Sequence, residues 1–383
     1  MYALKNFCYY KEGARVSTDS ILIDGPVIKD ILPAAELPAG IETIDLKGDF
    51  LTHGFIDLQV NGGYRYFFPS NITLESLHEI YEDHLVYGTT HCLITMITAS
   101  QEECLRAIGV VRSSMAQGHT GILGLHLEGP FLNMEKRGSH NAAFIRNPTW
   151  EELKEIVEAG EGVLKLLTIA PELFDDEMIT YIRSKGIVIA AGHSDCTTKI
   201  AKASFERGVS CVTHLYNAMS QLNSREPGLV GASLDSDVFA GIIVDGVHCD
   251  YTAVHIASEL KKGKLFLVSD ATLIGNMDTI LNGREYLFRN GRYVNVDGNL
   301  AGSNITMWHG VVNSVRYAGI ETADAFEMAT SIPASVLGLS DTIGTIAVNQ
   351  EANLVVLSKD LDLEAIIVKG VFRKDIPVNN IAQ

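Results

Sequence analysis

Three short stretches of this chain carry residue types that bind divalent metal ions. They are Glu128 in Leu125-His126-Leu127-Glu128-Gly129-Pro130, His193 in Gly192-His193-Ser194-Asp195 and His214 in Thr213-His214-Leu215-Tyr216-Asn217. One carboxylate and two imidazoles form a donor set suited to zinc, with a position left open for water. Asp270, in Ser269-Asp270-Ala271-Thr272, is a carboxylate that could take a proton from a water and return it to a leaving group. Its other reading is a helix cap or a buried ion-pair partner. His140, in Lys136-Arg137-Gly138-Ser139-His140-Asn141, could donate a hydrogen bond to a substrate carbonyl, although a lone loop histidine is as readily a surface residue. Asn217, Arg225 and His248 are candidates for an anion site, because guanidinium forks suit phosphate oxygens. Glu226, next to Arg225, offers that arginine an ordinary surface ion pair instead.

Residues so far apart in sequence need a scaffold that gathers them. From residue 51 onward, apolar runs of five to eight residues alternate with amphipathic stretches. The runs are Phe55–Val60, Cys92–Thr98, Ile122–Leu127, Val163–Ile169, Ile187–Ala191, Val209–Thr213, Phe239–Val244 and Leu265–Val268. Helical patterns lie between most of them: Glu102–Gln117, Trp150–Ala159, Asp176–Lys185, Thr197–Arg207 and Tyr251–Lys261. Continuous apolar strands with helical crossovers belong to parallel sheets covered on both faces. Eight such units predict an α/β fold, a (β/α)8 barrel of the TIM type, whose active site sits at the C-terminal ends of the strands. Six of the eight runs end in a potential ligand or a titratable or amide side chain, and that concentration at one rim favours a metal site over scattered hydrogen-bonded polar groups. His126 points to the same side of its strand as Glu128 and is expected to be a core or supporting residue. His91 and Cys92 begin a run, at the opposite rim, and read as structural. Tyr64, Tyr66, Phe67 and Phe68 read as a packed loop or an interface.

The ends of the chain look different. Residues 1 to about 50 read as short strands broken by turns, one of them at Lys11-Glu12-Gly13-Ala14, and the tail returns to short strands. Head and tail are expected to pair into one small β-sandwich domain, 1–50 with 344–383, around a catalytic barrel of 51–343. A hairpin is predicted around Asn290-Gly291, followed by helices over Thr306–Tyr317 and Ala323–Leu337.

Composition narrows the function classes. Lys plus Arg is 30 and Asp plus Glu is 47, a formal net charge of −17, which argues against general nucleic-acid binding and against a regulator that contacts DNA. No apolar run is long enough to cross a bilayer, and the first residues carry no signal-peptide core. The six cysteines are scattered without a CxxC pair, which suits a reducing compartment. The expected location is the cytoplasm.

With these residues in view, the stretches GFIDLQVNGG, LHLEGPFLN, KRGSHN, GHSD, THLYNAMS, REPGLVGA, GIIVDGVHCDY, LVSDAT and NLAGSNITM resemble the N-acetylglucosamine-6-phosphate deacetylase family of the amidohydrolase superfamily. The resemblance runs in order along nearly the whole chain. It implies hydrolysis of the acetamide of an amino-sugar 6-phosphate. It implies Glu128, His193 and His214 as metal ligands, Asp270 as general base and acid, and His140 as the group that polarises the acetyl carbonyl. Ser139, Asn217, Ala218, Asp245, His248 and the stretch Leu300-Ala301-Gly302 are implied as substrate contacts. Arg225 is implied to reach the phosphate in the neighbouring subunit, and with it a homodimer.

The sequence also departs from the wider pattern. Where many amidohydrolases carry His-x-His after the first strand, this chain has Gln59 and Asn61, and amides are poorer zinc ligands than imidazoles. One divalent metal per subunit is therefore expected, zinc first, with iron, cobalt, manganese and nickel as alternatives and Gln59 near a weak second position. His53 stands where the family usually has proline, and no use for it is evident. Leu273–Asp278 lacks the family's usual Pro-Ala-Gly run, which keeps N-acetylgalactosamine 6-phosphate open as the preferred substrate. A cyclic amidase or deaminase would need the missing His-x-His pair. A non-catalytic sugar-phosphate-binding protein would have lost a ligand or the base, and none is lost.

Overall fold

The computed structural model describes residues 1–11, 13–118, 121–275, 278–281, 284–289, 292–296, 298 and 300–373. Eight strands form the central sheet: β1 (Phe55–Val60), β2 (Thr89–Ile97), β3 (Ile122–Glu128), β4 (Leu164–Ile169), β5 (Val188–Ala191), β6 (Cys211–Val212), β7 (Phe239–Ile242) and β8 (Leu265–Leu267). Each pairs in parallel with its neighbours in sequence, in unbroken order. The sheet closes through a parallel bridge between Val60 and Ala271. At that seam Asn61 N and Gly62 N donate to Ala271 O at 3.2 and 2.8 Å, and Asp270 N donates to Gln59 O at 3.0 Å. Gly62 is required there, because a Cβ would lie 2.0 Å from Thr272 O.

All six residues of β1 are buried, as a strand covered on both faces demands. The crossover helices include Gln101–Ala116, Trp150–Ala159, Asp176–Ser184, Thr198–Arg207 and Tyr251–Leu260. The side chain preceding each one caps it: Ser100, Thr149, Asp175, Thr197 and Asp250. Such caps contribute about 1 kcal/mol each and explain why these helix starts are legible in sequence. The helix expected over Ala323–Leu337 is two, Thr322–Ala329 and Ser331–Val336. Pro333 supplies the reason, since it lacks the N–H that would bond Ala329 and its ring crowds that carbonyl.

Both chain ends contribute to a second sheet. Its order is Val371–Arg373, Leu363–Val368, Leu354–Leu357, Thr43–His53, Tyr2–Lys11, Asp19–Asp24 and Val27–Pro33, with Ala14–Val16 paired to Tyr2–Lys11. Alternation along Leu354–Leu357 shows how it sits. Leu354 and Val356 join the cluster of Leu4, Phe7, Ile21 and Ile23, whereas Val355 and Leu357 pack into the barrel's cluster. Strands Thr279–Leu281, Arg284–Arg289 and Arg292–Asn295 form a small antiparallel sheet, with Arg289 opposite Arg292. The predicted turn residues Asn290 and Gly291 lie outside the described residues, as do Glu12 of the first turn, Asn276 and Met277 of the segment after Asp270, and the tail 374–383.

His53 acquires a place at the joint between the two large sheets. It ends the strand Thr43–His53 and stacks on His91 of β2, with ring centroids 5.7 Å apart and planes at 19°. Both rings are buried. Burial pushes His53 down to about 4, partly offset by its bond to Gly54 O. Burial, followed by the charge on His53, pushes His91 down to about 3. An unfolded chain protonates these groups near pH 6.5, so their contribution is complete above that value and is lost as pH falls towards 4 and then 3. Thermal midpoints should therefore fall more between pH 7 and pH 5 in the wild type than in His91→Gln, which keeps a polar group that does not titrate. Equal slopes would remove the histidine pair as the cause.

Candidate active site

A cavity of about 670 Å³ opens at the C-terminal ends of the barrel strands. Among the residues singled out from sequence, Glu128, Ser139, His140, His193, His214, Asn217, Ala218, His248, Asp270, Leu300, Ala301 and Gly302 all line it. Four of its non-glycine residues, His193, His214, Ala218 and Asp270, have positive φ, at 48°, 28°, 49° and 48°. L-residues adopt that region sparingly, and such strain concentrates at functional sites. Here it turns the side chains of His193, His214 and Asp270 off the ends of their strands and into the mouth of the barrel.

Glu128 Oε1 lies 3.1 Å from His193 Nε2 and 3.0 Å from His214 Nε2, and the two nitrogens are 3.1 Å apart. All three side chains are buried. His193 Nδ1 is 2.8 Å from Lys136 O, an oxygen that can only accept, so the ring proton sits on Nδ1 and the Nε2 lone pair faces the carboxylate. Two acceptor atoms at 3.1 Å, shut away from water, require positive charge between them. A tetrahedral zinc with bonds of about 2.0–2.2 Å places its ligand atoms roughly 3.3–3.5 Å apart, close to the edges of this triangle. The donor set therefore fits a divalent cation. Burial acts to raise the Glu128 carboxyl, but the neighbouring imidazoles of His193 and His214 outweigh it and hold the group well below its ordinary value.

His140 is the fourth group at the centre. Its Nε2 is 3.8 Å from Glu128 Oε2, and Glu128, His140 and His193 also bring ligand-type atoms within 4.8 Å of one another. Its Nδ1 is 2.8 Å from Thr98 Oγ1, at the end of β2. The Thr98 hydroxyl has a weaker alternative acceptor in Glu128 O at 3.4 Å. Donating to Nδ1 instead leaves the ring proton on Nε2, facing the cavity. Burial first, then the charge on His193, pushes His140 down to about 3, so it works as a neutral ring.

Asp270 faces this group. Its Oδ1 accepts from Asn61 Nδ2 at 2.7 Å and Gln59 Nε2 at 3.1 Å. Burial and the charge of Glu128 raise it to about 6. Gln59 thus turns its amide N–H to Asp270 and does not line the cavity, so in this arrangement it serves the carboxylate rather than a second metal position. Asp245 does not line the cavity either. Its Oδ1 accepts from the amides of Val247 and His248, and its Oδ2 lies 2.6 Å from His248 Nδ1, so it orients that ring. Arg225 is exposed and outside the cavity, and Glu226 is bonded to Thr198 and Gly228 N instead of to it.

His126 is a core residue, bonded to Leu58 O and Thr168 Oγ1 at 3.1 and 2.8 Å. The aromatic loop divides: Phe68 enters the barrel core, while Phe67 packs with Leu273, Tyr286, Tyr293 and Ala301 and forms a wall of the site. Phe67, Thr98, Arg137, Thr272 and Tyr286 are thus functional neighbours that sequence reasoning missed. For Thr98 the signal was its place at the end of an apolar run.

Comparison with known proteins agrees with this architecture. Residues 50–376 match the model of the Amidohydrolase family, and residues 1–51 match the NagA composite domain. The chain is 37% identical over 380 residues to the N-acetylglucosamine-6-phosphate deacetylase of Haemophilus influenzae, covering 98% of this chain and all of that one. It is 36% identical over 351 residues to the N-acetylgalactosamine-6-phosphate deacetylase of Shewanella sp., covering 88% and 86%. The crystal structure of N-acetylglucosamine-6-phosphate deacetylase from Pasteurella multocida superposes with a TM-score of 0.93 at 34% identity, over 98% of this chain and all of that chain. The closed parallel barrel, the buried carboxylate–imidazole cluster at its rim and these matches together make this chain a member of the amidohydrolase family, in the branch whose curated relatives are amino-sugar-6-phosphate deacetylases.

Proposed function

We propose that the protein removes the acetyl group from N-acetylglucosamine 6-phosphate, releasing glucosamine 6-phosphate and acetate. The observation that carries this reading is the buried triangle of Glu128, His193 and His214 with Asp270 and His140 facing the same cavity. A divalent cation held there, zinc first among the candidates and iron, cobalt, manganese or nickel as alternatives, would supply Lewis acidity and make a water acidic enough to attack at neutral pH.

The chain's own groups do the rest. Asn217, the backbone of Ala218 and His248 hold the sugar phosphate at one side of the cavity, with His248 oriented by Asp245. Ser139 and the backbone of Leu300-Ala301-Gly302 bound the sugar. His140 donates from Nε2 to the acetyl oxygen, where negative charge develops as the carbonyl carbon becomes tetrahedral. Asp270 accepts the proton of the attacking water and passes it to the nitrogen as the C–N bond breaks. Gln59 and Asn61 hold one oxygen of Asp270 and leave the other for the proton.

The 36% identity to an N-acetylgalactosamine-6-phosphate deacetylase supports the epimer as the second reading. We further propose a homodimer in which Arg225 reaches the partner's site, and a cytoplasmic location, which the six free, buried cysteines suit. Among the described residues no helix is long and apolar enough to cross a membrane. The test is acetate release from both epimers by zinc-loaded protein. Faster release from the gluco epimer is expected. Faster release from the galacto epimer would move the substrate and keep the chemistry, and release from neither would overturn the reading.

A further inference from the structure

We propose that Arg137 is the cation through which each subunit reads the phosphate of its own substrate, an inference that rests on the substrate class proposed above. The loop that carries Arg137 leads into His140 and forms one wall of the cavity. Gly138, at φ +56°, brings this loop against the opposite side: a Cβ there would lie 3.5 Å from His193 Cε1 and 3.8 Å from Ala218 Cβ. The loop therefore crosses over the Asn217–Ala218 turn, where the sugar phosphate is placed.

Charge pairing singles Arg137 out. Lys136 also lines the cavity, but its Nζ is 3.2 Å from Asp195 Oδ1. His248 is paired with Asp245 at 2.6 Å. Arg137 has no carboxylate partner among the described residues; its hydrogen bond runs from Nη1 to His140 O at 3.3 Å. Glu135, the neighbouring acid on the same turn, is exposed and forms no ion pair with it. A half-buried guanidinium has five N–H donors, and one bond to a carbonyl leaves the others available to a phosphate fork.

The need for such a cation is electrostatic. The chain carries a net charge of −17, and Glu128 and Asp270 already place two carboxyl groups in this cavity. A phosphate monoester would enter against that field unless an uncompensated cation met it. Arg225 is exposed and outside the cavity of its own chain, so among the described residues Arg137 is the arginine that lines it. The 6-phosphate is common to the gluco and galacto epimers, so Arg137 should serve both equally.

The test uses full-length, metal-loaded R137Q and R137K with N-acetylglucosamine 6-phosphate and with unphosphorylated N-acetylglucosamine. R137Q should lower kcat/KM for the phosphorylated sugar by about 10–100-fold, the scale of a lost charge-assisted pair, mainly through KM. It should leave kcat/KM for the unphosphorylated sugar unchanged and weaken competitive inhibition by inorganic phosphate. R137K should restore part of the loss. An equal fall on both sugars would make Arg137 a prop for the His140 loop and overturn the proposal. A wild type that prefers the phosphorylated sugar, with that preference intact in R137Q, would overturn the role of Arg137 alone. A wild type with no such preference would overturn the substrate class and this role with it.

Discussion

Asp270→Asn should yield a folded, metal-binding protein whose turnover is lower by about 10²–10⁴-fold, the loss expected when an acid–base group is removed. The substitution is nearly silent structurally. The asparagine oxygen can still accept from Asn61 Nδ2 and Gln59 Nε2, which meet Asp270 Oδ1 at 2.7 and 3.1 Å. The positive φ of 48° at this position is one that asparagine tolerates at least as well as aspartate. What disappears is the capacity to hold a proton between its removal from water and its delivery to nitrogen. Burial and the charge of Glu128 raise the Asp270 carboxyl to about 6, nearer the value at which one group serves as both base and acid near neutrality. The loss should therefore appear in kcat, with KM little changed. A variant with near wild-type kcat would remove Asp270 from the proton path.

The rim of the barrel was legible because of how a buried parallel sheet is written. Strands covered on both faces read as unbroken apolar runs, so the first polar residue after each run, such as Glu128, His193 or His214, marks both the end of a strand and a place in the mouth. The same logic shortened some strands in practice: Val209–Thr213 is sheet only over Cys211–Val212, because the chain begins to turn before His214. Contacts between distant segments left no local trace. Asn61 and Asp270 are 209 residues apart, and Thr98 and His140 are 42 apart; neither pairing has a periodicity to betray it. Asp245 illustrates a subtler limit. Sequence placed it at the right rim beside His248, but only geometry shows that its oxygens are spent on His248 and Val247 rather than on a ligand. The split aromatic loop is similar, since Phe67 and Phe68 point to opposite surroundings although both look equally apolar in sequence.

Glu128→Gln should lose metal and activity together. The carboxylate is the anionic member of the triangle, buried with His193 and His214 at 3.1 and 3.0 Å. Replacing it with an amide keeps its shape and removes its charge, so the imidazoles are left to hold a divalent ion with no compensating anion among them. Removing even an outer partner of a metal ligand costs about 10–100-fold in affinity, and loss of this ligand should exceed that. Elemental analysis of the purified variant should find it largely free of metal where the wild type is loaded. A second readout does not depend on turnover. A ligand that binds only the folded state stabilises it in proportion to the logarithm of its concentration over Kd, so added zinc should raise the thermal midpoint of stripped wild type and leave that of Glu128→Gln almost unmoved. Full metal occupancy with an undiminished thermal response would show that His193 and His214 bind the ion with other partners, His140 first among them at 3.8 Å from Glu128 Oε2. The ligand set would then shift by one residue around the same cavity.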